Sequence, residues 1–191
     1  MPTEGSSMTA DQTAVPRATR SYSRASIALH WLMLVLLAAV FACIELRENY
    51  PRGNDIREAL KTWHFMLGLS VFILVWIRLI ARWRTPWLAA EAGWTRWPAA
   101  AVHLLLYGGM IVLPLLGWLI LSAEGACIPF FGLSLPPLIA PDKALAGQLE
   151  DLHKTIGETG YWLISLHALA SVLHHHLLKD GTLRRMLPFL R

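Results

Sequence analysis

The chain has 191 residues, of which 55% are apolar, only 16% are charged and nine are tryptophan, and its mean hydropathy is +0.44. A water-soluble domain carries about 25% charged and about 45–50% apolar residues, so this composition excludes a disordered chain, a coiled coil and a secreted disulfide scaffold, and it requires lipid over much of the surface. The net charge of +4 does not mark a nucleic-acid binder, because Lys and Arg gather beside apolar runs instead of forming a basic stripe interleaved with exposed aromatics.

Residues 1–20 are polar and lack the apolar core of a cleavable signal peptide, which reads as a disordered cytoplasmic tail. Residues 21–191 read as one all-α domain, an integral membrane four-helix bundle. Its first helix, about residues 25–46, contains the charge-free run Ala25 to Ile44, enough to cross a hydrocarbon core of about 30 Å. The second covers about 62–81, with Arg78 snorkelling toward the interface. The third, about 99–123, is charge-free and tolerates Pro114 and Gly117 inside a packed bundle. The fourth spans about 152–178. Between helices three and four, Pro129, Pro136, Pro137 and Pro141 break an apolar loop that reads as a partly ordered cap over the helix ends.

Orientation follows from positive charge, which stays on the cytoplasmic side. The segments up to Arg24, from Arg78 to Arg96 and from Lys179 onward hold 11 of the 17 basic residues and 4 of the 13 acids; the two other loops hold 6 and 9. Both termini are therefore expected to be cytoplasmic. Trp83, Trp87, Trp94 and Trp97 fall where an aromatic belt belongs. Cys43 and Cys127 form neither CxxC nor CxxCH, which excludes covalent c-type haem attachment and leaves packing as their reading.

All eight histidines lie within or at the ends of the four apolar runs, where ionisable side chains are expensive and usually functional. His153 and His167 are 14 residues apart, so on one helix they fall within about 40° of each other and stand about 21 Å apart. That presents two imidazoles at opposite membrane depths, the geometry for two stacked haems. Depth then pairs His64 with His153, and His30 with His167. His174 matches His30 in depth too, but it stands about 31 Å from His153, a separation that would slow electron transfer between the irons. With both axial positions filled by imidazole, a haem iron serves electron transfer and not oxygen activation.

Taken together, the sequence resembles the bacterial cytochrome b561 family. The resemblance is carried by Tyr22-Ser23-Arg24 before His30-Trp31, by His64, by His103 with Tyr107, and by His153, Gly160-Tyr161, His167 and His174-His175. It extends to Lys179-Asp180 and Thr182-Leu183-Arg184-Arg185-Met186. It implies two b-type haems held by His30, His64, His153 and His167 in the bacterial inner membrane. It also implies ubiquinone as acceptor and, in at least one branch, superoxide as the periplasmic donor. His174, about 10 Å beyond His167, is a candidate proton donor to the quinone, and Arg24 a candidate ligand for the quinone head or a lipid phosphate. His103 reads as a hydrogen-bonding partner of a neighbour or a haem propionate, His175 and His176 as facing headgroups, and Glu45 and Arg47 as interfacial charges.

The outer loops do not form the cationic funnel that speeds capture of an anion, although Arg52, Arg57, Lys61 and Lys154 are candidates for a local positive patch over the outer haem. Two other readings compete. A haem-bearing anchor subunit would take electrons from a partner redox protein, for which the short loops offer little surface. A metal transporter is suggested by the run His174-His175-His176, but the spans lack mid-membrane acids.

Overall fold

The computed structural model describes residues 23–83 and 96–178, together with residues 183 and 187. The expected tail at 1–20, Trp87, Trp94 and, apart from Leu183, the motif from Lys179 to Met186 fall outside the described residues. Four long helices carry the fold: α1 (Arg24–Arg47), α2 (Asp55–Trp83), α3 (Arg96–Glu124) and α4 (Lys143–Leu173), with a short antiparallel hairpin of β1 (Ile128–Phe130) and β2 (Leu133–Leu135) between α3 and α4. A π-helical turn, His174–Leu178, continues α4.

Two helices begin well before their apolar runs do. Asn54 precedes α2, and its side-chain oxygen accepts from the Ile56 amide at 2.8 Å. Asp142 caps α4 by accepting from the amides of Ala144 and Leu145 at 3.0 and 3.1 Å. Both satisfy amides that a helix start leaves unpaired. The apolar runs therefore mark where lipid contact begins, and the helices extend a turn or more beyond it. At the far end of α3, Gly125 takes φ 69°. Its amide bonds Ser122 O, and the Ala126 amide bonds Leu121 O, each at 3.0 Å, a Schellman closure that needs a left-handed residue.

The loop expected as a cap is built as a two-residue hairpin. Phe131 and Gly132 both have positive φ, 47° and 86°, the requirement of a type I′ turn. Glycine adopts this freely, whereas Phe131 is held there by contacts. Its amide donates to Met66 Sδ at 3.3 Å, and its ring stands 6.2 Å from that of Trp63. The hairpin thus rests on the turn of α2 that carries His64. Ile128 is 1% exposed against Leu69 and Leu121, and Trp118 Nε1 donates to Pro136 O at 3.0 Å.

Among the described residues three helices, α1, α2 and α3, are long and apolar enough to cross a membrane. The fourth expected span, α4, falls short of that measure because Glu158, Thr155, Thr159 and two imidazoles dilute its apolar content. Trp83 and Trp97 stand almost fully exposed at the ends of α2 and α3, as an interfacial belt requires. Cys43 and Cys127 are both free thiols; Cys127 is exposed beside Ser134 and does not pack in the interior.

The α1–α2 connection is held by one residue. Arg57 is buried, donates from Nη1 to the carbonyls of Arg47 and Tyr50 at 2.9 and 2.8 Å, and reaches Glu48 at 3.3 Å. It satisfies carbonyls that the end of α1 leaves open. Arg57→Ala is therefore expected to lower stability by about 3 kcal/mol, the cost of losing charge-assisted bonds to groups that stay buried. Thermal unfolding of the detergent-solubilised protein followed by helical circular dichroism measures this, and an unchanged midpoint would refute the role.

Candidate functional site

The helices form two hairpins. α1 packs along α2 and α3 along α4, α2 meets α3 less extensively, and α1 and α4 do not pack backbone against backbone over any length. The imidazoles face each other across this seam between hairpins. His64 and His153 have ring centroids 6.1 Å apart, near the β-hairpin end of the bundle. His30 and His167 are 6.4 Å apart, nearer the end where α1 begins. Val40 O accepts from His64 Nδ1 at 3.0 Å, which fixes that ring and leaves its Nε2 as the free nitrogen. His30 buries an Nδ1 with no hydrogen-bond partner among the described residues.

These separations suit a metal held between opposed rings. A metal–nitrogen bond of about 2.0–2.1 Å on each side places imidazole centroids about 6.3 Å apart. A bare ion is a poor fit, because no three His, Cys, Asp or Glu side chains converge among the described residues. A haem iron brings four in-plane nitrogens of its own and asks the protein for the two axial ligands alone. Beside the imidazoles two helix faces carry no side chain. Gly68 and Gly157 lie one turn beyond His64 and His153 on the same faces, and a Cβ at either would meet nothing within 4 Å. On α4, Ala146 is buried by protein, whereas His153 and His167 are only half-buried, so the face carrying both histidines is left for another group to cover.

The remaining histidines are placed differently. The His103 ring stands 5.4 Å from His167, edge to face, too close for a metal between them, so it flanks the His30–His167 pair. His174 follows the last α-helical residue, two turns beyond His167, and opens the π-helical turn. The ring of His175 lies 4.9 Å from that of His176. Arg24 stands exposed in the first turn of α1, six residues before His30.

Several contacts were not legible in the sequence. Tyr161 donates to Glu45 Oε1 at 2.6 Å, and its ring lies 4.4 Å from that of Phe41, which ties α4 to α1 between the two imidazole pairs. Arg78 turns to α3 instead of reaching for the bundle's end: its Nε donates to the Tyr107 hydroxyl at 3.2 Å. The signal for it was present, since Arg78 follows His64 by the same 14 residues that separate His153 from His167. Of the four basic residues expected over the outer site, Arg57 is consumed by the α1 terminus, Lys61 lies 3.9 Å from Glu124, and Lys154 lies 2.8 Å from Glu150. The bonded Lys154 ammonium holds the Glu150 carboxyl below its ordinary range, against the opposing effect of burial.

Comparison with known proteins agrees with this architecture. Residues 21–189 match the family model described as prokaryotic cytochrome b561. The chain is 32% identical over 170 residues to cytochrome b561 homolog 1 of Escherichia coli K12, covering 87% of this chain and 97% of that one. It is 35% identical over 172 residues to the probable superoxide oxidase CybB of Yersinia pestis, covering 88% and 97%. Cytochrome b561 homolog 2 of Escherichia coli K12 is 30% identical over 171 residues, covering 87% and 90%. The chain belongs to the prokaryotic cytochrome b561 family, multi-pass haem b proteins of electron transport in the bacterial inner membrane.

Proposed function

We propose that this protein is a dihaem electron conduit that takes electrons from superoxide on the periplasmic side and delivers them to ubiquinone near the cytoplasmic side. The observation that carries the reading is the pair of opposed imidazole couples, His64 with His153 and His30 with His167, 14 residues apart along one face of α4 and therefore about 21 Å apart in depth. The alternating Lys and Arg distribution supports four spans with both termini cytoplasmic, so the β-hairpin end faces the periplasm. The likeness to a probable superoxide oxidase supports the donor.

When bound, the two b-type haems supply one-electron redox chemistry at two depths. His64 and His153 would hold one and His30 and His167 the other. With two imidazoles on each iron, the protein would leave no place for oxygen or peroxide to bind. The Phe131 turn over Trp63 and Met66 limits water at the periplasmic pair. In the overall reaction two superoxide anions become two O2, and one ubiquinone takes the two electrons with two protons to become ubiquinol. His174, two turns beyond His167, is placed to hand over a proton on the cytoplasmic side, and Arg24 to meet the quinone head or a lipid phosphate.

Pyridine haemochrome on the purified protein, followed by a superoxide pulse on the same sample, tests the reading. The expected result is two b haems per chain that reduce within the pulse and reoxidise when ubiquinone is added. Two haems unresponsive to superoxide would transfer the donor role to a partner redox protein and favour a haem-bearing anchor subunit. A preparation with bound zinc or nickel and no haem would refute the conduit altogether.

A further inference from the structure

Arg78 is a half-buried cation of the bundle with no carboxylate partner among the described residues. Among the described residues its one hydrogen bond runs from Nε to the Tyr107 hydroxyl at 3.2 Å, with the guanidinium 5.9 Å from the centre of that ring. Tyr107 packs against the cluster of Met33, Val71, Leu74 and Val75, so the guanidinium is held by a fixed group. Tyr107 follows His103 by one turn of α3, and the His103 ring stands 5.4 Å from that of His167, so the guanidinium lies toward the end of the seam where the second imidazole pair sits. Charges within a membrane are costly and are found paired. A guanidinium presents a planar fork of donors that matches a carboxylate, and here one donor of five is engaged.

We propose that Arg78, steadied by Tyr107, binds a propionate carboxylate of the haem held between His30 and His167 and raises that haem's reduction potential relative to its partner at His64 and His153. The proposal rests on the dihaem reading above. Reduction adds an electron to the haem, so a neighbouring cation favours the reduced state, and a propionate stripped of its cation disfavours it. Arg78 thereby makes electron flow from the His64–His153 pair toward the His30–His167 pair downhill. It is a binding and potential-setting residue, and it ligates no iron.

Potentiometric titration of the purified protein, with haem content measured on the same samples, tests this in wild type, R78K and R78Q. In R78Q the equilibrium for one electron shared between the haems should shift about tenfold away from the His30–His167 haem, a fall of about 59 mV in its midpoint. The other haem should keep its midpoint. R78K, which keeps charge but loses the fork, should show a smaller fall. Loss of the His30–His167 haem alone in R78Q, with R78K retaining both, also supports the assignment. Unchanged midpoints in R78Q overturn it, and so do equal falls at both haems. Unchanged midpoints with a raised KM for ubiquinone would overturn it by assigning Arg78 to the quinone. Loss of both haems in R78K and R78Q alike would overturn it in favour of a folding role. Failure of the dihaem reading itself would already be visible as missing haem in the wild type.

Discussion

His153→Ala is expected to lower haem content by about half while the protein stays in the membrane, because on the proposed dihaem reading each iron would take two imidazoles from the chain and one pair is broken. The ring it removes is one of two imidazoles whose centroids stand 6.1 Å apart, and the residue of α3 beside it is Gly117, where a Cβ would meet His153 Cε1 at 3.8 Å. His64→Ala should give the same partial loss, since Val40 O holds the His64 ring in the position its partner requires. In both variants the His30–His167 haem should remain spectroscopically intact and reducible by dithionite. The double variant should lose no more haem than either single one, as expected of residues that act as a unit. Haem content equal to wild type in either single variant would refute the pairing.

His167→Ala is expected to remove the other haem and bring quinone reduction down to the protein-free rate, while the His64–His153 haem still accepts electrons from the periplasmic donor. The contrast with His174→Ala separates ligation from proton delivery. His174 follows the last α-helical residue of α4 and opens a π-helical turn, an irregularity found mostly at functional sites. It should leave both haem spectra unchanged and slow quinone reduction by about 100-fold, the lower end of what a positioned general acid contributes. Stopped-flow reoxidation of the prereduced protein by ubiquinone reads both variants. Loss of a haem in His174→Ala would move the ligand set one step along the helix and displace His167. The neighbouring His103 ring, 5.4 Å from that of His167, is not expected to compensate in His167→Ala, because it stands beside the pair and not opposite His30.

Much of this was legible in one dimension. A helix of fixed pitch converts spacing into angle and depth, so the interval between His153 and His167 already sets two imidazoles on one face of α4; depth selects His64 for His153, and the shorter separation between the irons favours His167 over His174 as the neighbour of His30. The same arithmetic applied to His64 and Arg78, 14 residues apart, would have turned Arg78 inward, but a lone arginine near a helix end reads more readily as an interfacial charge. Asn54 and Asp142 were likewise legible as caps. The charged first turns of α2 and α4 masked them, because charge ends an apolar run without ending a helix.

By itself, then, the sequence determined a lipid-covered helical protein, the apolar extents of its helices and the histidines that share a face, because composition and periodicity depend on local geometry alone. Only the tertiary structure decided that α1–α2 and α3–α4 are separate packed hairpins with a seam between them, that His103 flanks the seam, and that Arg57 is spent on the end of α1. It also decided that a strained type I′ turn at Phe131 rests over His64, that Tyr161 ties α4 to Glu45, and that Arg78 finds Tyr107. Each of these depends on which helix lies beside which and at what distance. That is set by side-chain packing between segments far apart in the chain, and no local period encodes it.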